Sequence, residues 1–245
     1  MTVRIATLAA VVLCFISCSG SKRPVVYSHP RMSGKAVING KTAFLLPDDI
    51  EIREVVQDYV AAFEGKPADG VEYTLEVLAD CLKGNEDLPQ PSKHGFATVR
   101  RSPFRMTDLG YEDIGRSVKR FFHFEKDKYG IASLKVTSPE ELAEALEEAD
   151  ANFLLVFYDI RANRENTTRP TAVYPGVSPS VIPGKQMDLI MMTAQAYVWD
   201  RSSRSLFWHG YVAGKCEIDK SVEKDRVRRL SQVFAQDLLE ALECE

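Results

Sequence analysis

The C-terminal segment carries the pattern that most limits how this chain can fold. Between residues 219 and 243, apolar residues recur at helical spacing and fall mostly along one helical face. These residues are Val222, Val227, Leu230, Val233, Phe234, Leu238, Leu239 and Leu242. A helix with one apolar stripe must bury that stripe against another element. We therefore predict a long amphipathic C-terminal helix that covers a sheet.

The residues before this helix indicate the sheet. Segments 186–200 and 205–214 are rich in strand-forming residues and flank the polar turn 201–204, which predicts a hairpin. An apolar strand is expected over 152–160, after a helix that begins at Ser138-Pro139 with acidic residues in its first turn. Because the hairpin and its covering helices are segregated along the chain, the order favours an α+β fold with a mixed or antiparallel sheet.

The first half of the chain is harder to interpret. Asn39-Gly40 lies between apolar residues, which predicts a hairpin over 36–46. A helix is expected from Pro47 to Gly65, whereas 71–82 alternates as a strand does. Segment 161–185 contains four prolines and is predicted to be a long loop with a functional or mobile character.

The N-terminus resembles a bacterial export signal. Arg4 precedes an apolar run of about a dozen residues, fewer than the ~20 that span a bilayer. The run leads to Phe15-Ile16-Ser17-Cys18, which resembles the lipobox of bacterial lipoproteins, with Phe15 where that motif usually has Leu. The resemblance implies removal of residues 1–17 and lipidation of Cys18. An ordinary cleaved signal peptide with a coincidental cysteine is the alternative.

This resemblance also implies a location and a domain plan. Ser19 stands where an Asp would retain a lipoprotein in the inner membrane, so we expect a periplasm-facing protein of the outer membrane. The inner membrane and the cell surface stay open as alternatives. Residues 18–35 then form a lipidated tether and 36–245 a globular domain, with a division into lobes 36–137 and 138–245 left open.

The composition limits the classes of partner that this protein is expected to bind. A formal net charge of −4 offers no basic footprint for nucleic acid or for anionic lipid. With 45% hydrophobic and 27% charged residues, the chain has the composition of an ordinary globular domain. Besides Cys18, the mature chain would hold Cys81, Cys216 and Cys244, so at most one internal disulfide can form. Cys216 with Cys244 is the preferred pair, and unpaired thiols are the alternative.

No catalytic or metal-binding motif is apparent. The four histidines lack a recognised ligand spacing, so no metal site and no cofactor is predicted. A Gly-x-Ser-x-Gly signature is absent, and a hydrolase would require His209, Asp159 and a serine to converge in space. We therefore expect a protein that is not an enzyme.

Aromatic residues are the candidate contacts for a partner. Several concentrate in the predicted hairpin, and neighbours in a strand face opposite ways, so one of them is expected outside the core. An exposed aromatic side chain beside a mobile loop would form a surface for a partner or a ligand. The candidates are Trp199 and Trp208 in the hairpin and Tyr174 in the proline-containing loop.

Residues 148–242 resemble a module of bacterial envelope lipoproteins. A strand ending in Tyr197-Val-Trp-Asp200 is followed by Ser205-Leu-Phe-Trp208-His-Gly and a closing helix. This order is similar to the hairpin of TolB N-terminal-like and curli-assembly-lipoprotein-like domains, and it implies no catalytic residue. The resemblance implies a non-enzymatic envelope assembly or transport-accessory factor that binds envelope proteins. A lipoprotein that binds a lipid or a small ligand is the alternative, and a hydrolase is a more remote one.

Overall fold

In a computed structural model, the described part of the chain forms an α+β fold around one large mixed sheet. The structure describes residues 25–28, 34–48, 50–52, 63, 66–90, 98–110, 113–128, 131–169, 185–218 and 224–243. Its helices are α1 (Lys35–Asn39), α2 (Pro67–Lys83), α3 (Asp113–Val118), α4 (Pro139–Glu148) and α5 (Lys224–Glu243). The predicted fold class is confirmed.

The strands vary widely in length. They are β1 (Val25–Ser28), β2 (Thr42–Leu45), β3 (Glu51–Ile52), β4 (Asp87–Gln90), β5 (Thr98–Arg101), β6 (Thr107–Asp108), β7 (Phe122–Lys126), β8 (Ala132–Val136), β9 (Phe153–Arg169), β10 (Lys185–Asp200) and β11 (Ser205–Ile218). Within the described residues, the main sheet runs β1-β11-β10-β9-β2-β6, and β3 also pairs with β9. β2 comes from the first half of the chain and pairs with β9 from the second, so the two halves share one sheet.

The sheet has a base that is buried on both faces. On the first face, Phe157 and Phe234 of α5 approach with ring centroids 5.9 Å apart, and we call this the α5 face. On the second, Val156 and Trp199 join the apolar residues of α4, and we call this the α4 face. Five consecutive residues, 153–157, are therefore buried, as expected for a strand covered on both sides.

α5 lies directly on the strand beneath it because glycines remove the side chains between them. A Cβ on Gly214 would lie 2.7 Å from the backbone nitrogen of Phe234, too close for any other residue. A Cβ on Gly210 would overlap the Trp208 indole, which lies flat over that glycine on the same face. The predicted C-terminal helix and its contact with the hairpin are confirmed, and the glycine spacing in β11 sets how closely they pack.

Beyond the base, β9, β10 and β11 continue as a three-stranded extension. The register runs without a break from Thr193↔Arg161 to Lys185↔Arg169. Asp159 takes a left-handed conformation (φ 58°) at the irregularity that separates base from extension. The prediction of a loop over 161–185 is therefore wrong for its two ends, which are strands, and residues 170–184 lie outside the described part.

Three expectations for the first half are corrected. Residues 35–39 form a helix and not the first strand of a hairpin, because Val37 and Ile38 are buried in the core beside α5. Segment 71–82 belongs to α2, since Val77, Leu78, Cys81 and Leu82 fall on one buried face and Gly84 caps the helix in a left-handed conformation. Residues 51–52 form β3 and do not continue a helix from Pro47, while 53–62 lie outside the described residues.

Candidate functional site

The two outer edges of the extension differ in what covers them. On the β11 side, β1 pairs with residues 208–210, and the Asp237 carboxylate of α5 accepts the backbone N–H of Ala213 at 2.8 Å. Asp237 is buried, with 5% of its surface exposed. A carboxylate that accepts a backbone N–H replaces the missing strand at that position. The β11 edge is therefore partly closed by the protein itself.

The outer edge of β9 is closed along the base and at the first two residues of the extension. β2 pairs in parallel with residues 153–156, and β3 pairs with Arg161 and Ala162. From 163 to 169, no strand within the described ranges pairs with β9 on the side away from β10. An unpaired edge presents a row of backbone donors and acceptors to which another extended chain can add. This segment, which we call the β9 edge, is the candidate binding site.

Charged side chains form ion pairs at the start of this edge. Arg161 forms ion pairs with Asp159 and, at 3.0 Å, with Glu51 of β3. The hydrogen bond to Asp159 raises the pKa of the Arg161 guanidinium, so this group is charged at every physiological pH. Lys215 of β11 reaches across the sheet to Glu165 at 2.9 Å. On the α4 face, the extension therefore carries ion pairs beside the partly buried Met191, whereas on the other face Ala162, Ile190 and Met192 are buried.

The α4 face of the base holds a stacked aromatic cluster. The rings of Tyr197 and His209 are parallel, with an interplanar angle of 11° and centroids 4.0 Å apart. Phe124 of β7 packs against Tyr197 and Tyr158. The Tyr197 hydroxyl donates to the carbonyl of Ala132 at 2.7 Å and so ties the β7–β8 hairpin to the sheet.

Burial shifts the acid–base properties of this cluster. It lowers the pKa of His209 to about 4 and raises the pKa of the Tyr197 hydroxyl. The Nε2 atom of His209 is buried without a hydrogen-bond partner. Burial of the Asp200 carboxyl acts to raise its pKa, but hydrogen bonds from Ser203 and Ser202 outweigh this and hold the pKa below its usual range. Both His209 and Tyr197 are therefore neutral at pH 7.

The His209–Asp159 arrangement that a hydrolase would require is not formed. Asp159 is paired with Arg161, and the Nε2 atom of His209 has no partner, so neither belongs to a His–Asp pair. The aromatic stack against Tyr197 fixes the imidazole plane within the packed interior. A general base must reach its proton partner within hydrogen-bond distance, and the buried Nε2 atom of His209 has no such partner.

The structure separates the candidate aromatic residues. Trp199 and Trp208 are 2% and 0% exposed, which contradicts the expectation that they offer a partner-binding surface. Trp199 packs against the α4 helix cluster, and Trp208 lies beneath α5 over Gly210. The exposed aromatic residue of the hairpin is Tyr211, at 40%. Tyr174 and Cys18 lie outside the described residues.

The cysteines form no disulfide that the structure describes. Cys81 and Cys216 are both buried free thiols, so the preferred Cys216–Cys244 pair is not formed. Burial raises the pKa of each thiol, which keeps both protonated. They act as small apolar residues, the alternative that the sequence left open. Cys244 itself lies outside the described part.

A polar cleft of about 350 Å³ opens where α2 and α5 begin. Its lining includes the tilted ring pair Phe63–Tyr73, and the Lys224 ammonium lies 5.4 Å from the Phe63 ring centroid. Acidic Asp69, Glu72 and Glu76 complete much of the wall. This charged lining differs from the apolar cavity that the lipid-binding alternative would need.

The described residues contain neither a cluster of metal-binding side chains nor a helix that could span a bilayer. No group of three or more His, Cys, Asp or Glu side chains in that part of the chain is arranged to hold a metal ion. None of its helices combines the length and the apolar character needed to cross a bilayer.

Comparison with known proteins gives only distant likenesses. No protein-family model matches the chain, and no curated protein matches it. Among solved structures, a neuraminyllactose-binding hemagglutinin homologue from Helicobacter pylori is 12% identical, with a TM-score of 0.36 and 90% coverage of each chain. A hypothetical protein from Chlamydia trachomatis is 11% identical, with a TM-score of 0.38, covering 83% of this chain and 96% of the other. At these values, neither likeness carries an argument about function.

Proposed function

We propose that this protein is a lipid-anchored factor of the bacterial outer membrane that binds other envelope proteins and is not an enzyme. The lipobox-like sequence that ends at Cys18 supports the anchor. Acyl chains on this cysteine would hold the domain stably at the membrane without further lipid contacts. The domain would then act in assembly or transport by presenting a binding surface to the periplasm.

The observation that carries the binding proposal is the β9 edge. Residues 163–169 continue a paired strand whose inner side is bonded to β10, while no described strand takes the outer side. We propose that an extended segment of an envelope protein adds there as a further strand. Its backbone would supply the hydrogen bonds, and alternate side chains would contact the two faces of the extension.

The ligand-binding alternative is the second candidate, and the cleft at Phe63 and Tyr73 is the place where it would apply. Its charged walls favour a polar ligand over a lipid. It ranks below strand addition because the cleft is broad and lined by long, exposed side chains such as Lys66 and Glu72. Preorganised ligand sites depend on polar groups held in place by packing.

The anchor is tested with Cys18→Ala in cells that process lipoproteins. We expect the variant to move from the membrane fraction to the soluble periplasmic fraction. Persistence in the membrane fraction after a carbonate wash would overturn the anchor. The matched control is Cys14→Ala, because Leu13 before Cys14 makes it a poor lipidation site, and this change is expected to leave the protein in the membrane fraction.

Strand addition is tested by photo-crosslinking in intact cells. A photoreactive residue at position 163, at the β9 edge, is expected to give defined adducts, whereas one at position 213, on the same face where Asp237 closes the β11 edge, is not. Asn166→Pro and Thr167→Pro then probe the backbone. Adjacent N–H groups point to opposite sides of a strand, so one of these variants removes an outward donor and spares the ladder to β10.

The proline variant that keeps its hydrogen bonds to β10 should remain folded, with an unchanged circular dichroism spectrum. Its yield of crosslinked adducts should fall at least tenfold. Equal adducts from positions 163 and 213, or adducts that survive both proline substitutions, would contradict strand addition at the β9 edge.

A further inference from the structure

β1 lies within the segment 18–35 that the sequence assigns to the tether, so the tether ends before Val25, and the direction of β1 shows where it meets the domain. β1 is antiparallel to β11, with Val25 opposite Gly210 and Ser28 opposite Trp208. The strand direction at Val25 therefore points back along β11 toward Tyr211. If Cys18 carries the acyl chains, as the proposed function holds, Tyr211 stands beside the point where the tether joins the sheet.

The length of the tether limits how the extension can be oriented. Six residues separate Cys18 from Val25, so the chain between them spans at most roughly 25 Å. The extension continues past Gly210 to Ile218, a length of about 26 Å at ~3.3 Å per residue. An extension that points at the bilayer would demand a fully stretched tether. One that lies along the bilayer makes no such demand.

The α4 face is the side of the extension that can lie against a surface. The opposite face is covered by α5, which packs on β11 at Gly214. On the α4 face, Tyr158, Gln195 and Tyr211 form one row across β9, β10 and β11. The side chain of Tyr211 in this row is 40% exposed.

The β7–β8 hairpin places a second exposed residue, Ile131, beside this row. The Tyr197 hydroxyl lies 2.7 Å from the carbonyl oxygen of Ala132 and 2.8 Å from the Oε1 atom of Gln195, and it shares its single proton between these two acceptors. Ile131, the neighbour of Ala132, is 49% exposed. Its backbone N–H donates to the Asp127 carboxylate at 2.8 Å, which holds the turn that presents it. Ile131 and Tyr211 are thus connected on the α4 face through Gln195, Tyr197 and Ala132.

The charges on this surface nearly balance, as the Lys215–Glu165 ion pair on the same face illustrates. The ammonium of Lys126 lies 5.5 Å from the centroid of the Tyr158 ring, and Lys128 is close by in sequence. Asp127 and Glu125 offset these two charges. A surface of nearly balanced charge with an exposed tyrosine and an exposed isoleucine suits the interfacial region of a bilayer, where aromatic residues with a polar tip concentrate.

We infer that the α4 face around Tyr211 and Ile131 lies against the bilayer that holds the protein's own anchor, with these two side chains in the interfacial region. This orientation turns the helix side of the domain toward the periplasm. It also lays the β9 edge parallel to the membrane, where a chain that emerges from the membrane can reach it.

The experiment uses the full-length lipidated protein in phosphatidylcholine vesicles that contain a lipid brominated near the glycerol backbone. Tyr211→Trp and Ile131→Trp each add one tryptophan to the buried Trp199 and Trp208. The control is Val99→Trp, because Val99 is 61% exposed on β5, whose partner strand contacts α5. Quenching of the added tryptophan is obtained by difference from the parent protein.

We expect quenching at positions 211 and 131 to be at least twofold stronger than at 99, with no dependence on salt. Equal quenching at the three positions, or stronger quenching at 99, would overturn the orientation while leaving the anchor intact. Vesicle flotation separates the two failures, because a protein that does not float has no anchor and both proposals fall.

Discussion

The base and the extension of the sheet are made from the same three strands, but they differ in how many of their faces are covered. In the base, both faces are covered, and residues 153–157 are buried without interruption. In the extension, only the α5 face is covered, and buried Ala162, Ile190 and Met192 alternate with polar or partly exposed neighbours. The comparison teaches that the base supplies stability and the extension supplies surface.

The largest expected contrast compares Trp199→Ala in the base with Met191→Ala, on the same strand and the same face in the extension. Trp199 is 2% exposed, so its loss should lower the free energy of unfolding by about 3–5 kcal/mol. Met191 is only partly buried, and its truncation should cost less than about 1.5 kcal/mol. Urea denaturation measures both. Equal costs would show that the two regions are not energetically distinct.

His209 should make the base sensitive to acid. Its pKa is about 4 in the folded protein because it is buried, against 6.5 for an ordinary histidine. The unfolded chain therefore binds the proton more readily, so this residue lowers the stability as the pH falls from 6.5 toward 4. The loss should approach roughly 3 kcal/mol, at 1.36 kcal/mol per unit.

The measurement for His209 is the free energy of unfolding from pH 4 to pH 8 for the parent, for His209→Gln and for His123→Gln. The parent and His123→Gln, whose substituted side chain is exposed, should share the acid-dependent loss. If His209→Gln shows the same fall in the free energy of unfolding between pH 6.5 and pH 4 as the parent, His209 is not the cause of the acid sensitivity.

Gly214→Ala tests the covered face of the extension. The new Cβ would lie 2.7 Å from the Phe234 nitrogen, so α5 must shift away from β11, at a cost of about 1–3 kcal/mol. Ala213→Ser, the adjacent residue on the open face, should change stability by less than about 0.5 kcal/mol. Thermal melts compare the two. A neutral Gly214→Ala would indicate that α5 can move freely on the extension.

The smallest expected effect concerns the open face of the extension. Lys215 and Glu165 lie 2.9 Å apart, with side chains 50% and 42% exposed. A double-mutant cycle with alanine should give a coupling energy below about 1 kcal/mol that fades at high salt. A larger, salt-independent coupling would mean that this face is shielded from water.

Sequence reasoning succeeded where one period dominates a segment. The stripe of Leu230, Phe234 and Leu238 predicted α5, and the cap at Ser138 predicted α4. It failed at α2, where alternation at Val71, Tyr73 and Leu75 imitates a strand although the helical period continues to Leu82. It also failed at 161–169, because polar residues on an open sheet face resemble a loop.

The candidate site was less accessible to sequence than the fold. The β9 edge is a property of the strand order, since β3 stops pairing at Ala162, and no local pattern encodes where a neighbouring strand ends. Because neighbouring residues in a strand face opposite ways, alternation alone predicts that an aromatic residue such as Trp199 or Trp208 lies outside the core. The faces are instead covered by α4 and α5, which arrive from distant parts of the chain.

The sequence by itself determined the α+β class, the terminal helix, the hairpin and the closing turn at Asp200, because each depends on side chains within a few residues of one another. Only the tertiary structure decided which aromatic residues are buried, which thiols are free and which sheet edge is open. These properties depend on what packs against a residue from elsewhere in the chain. Burial and pairing are set by long-range contacts, and local spacing carries no record of them.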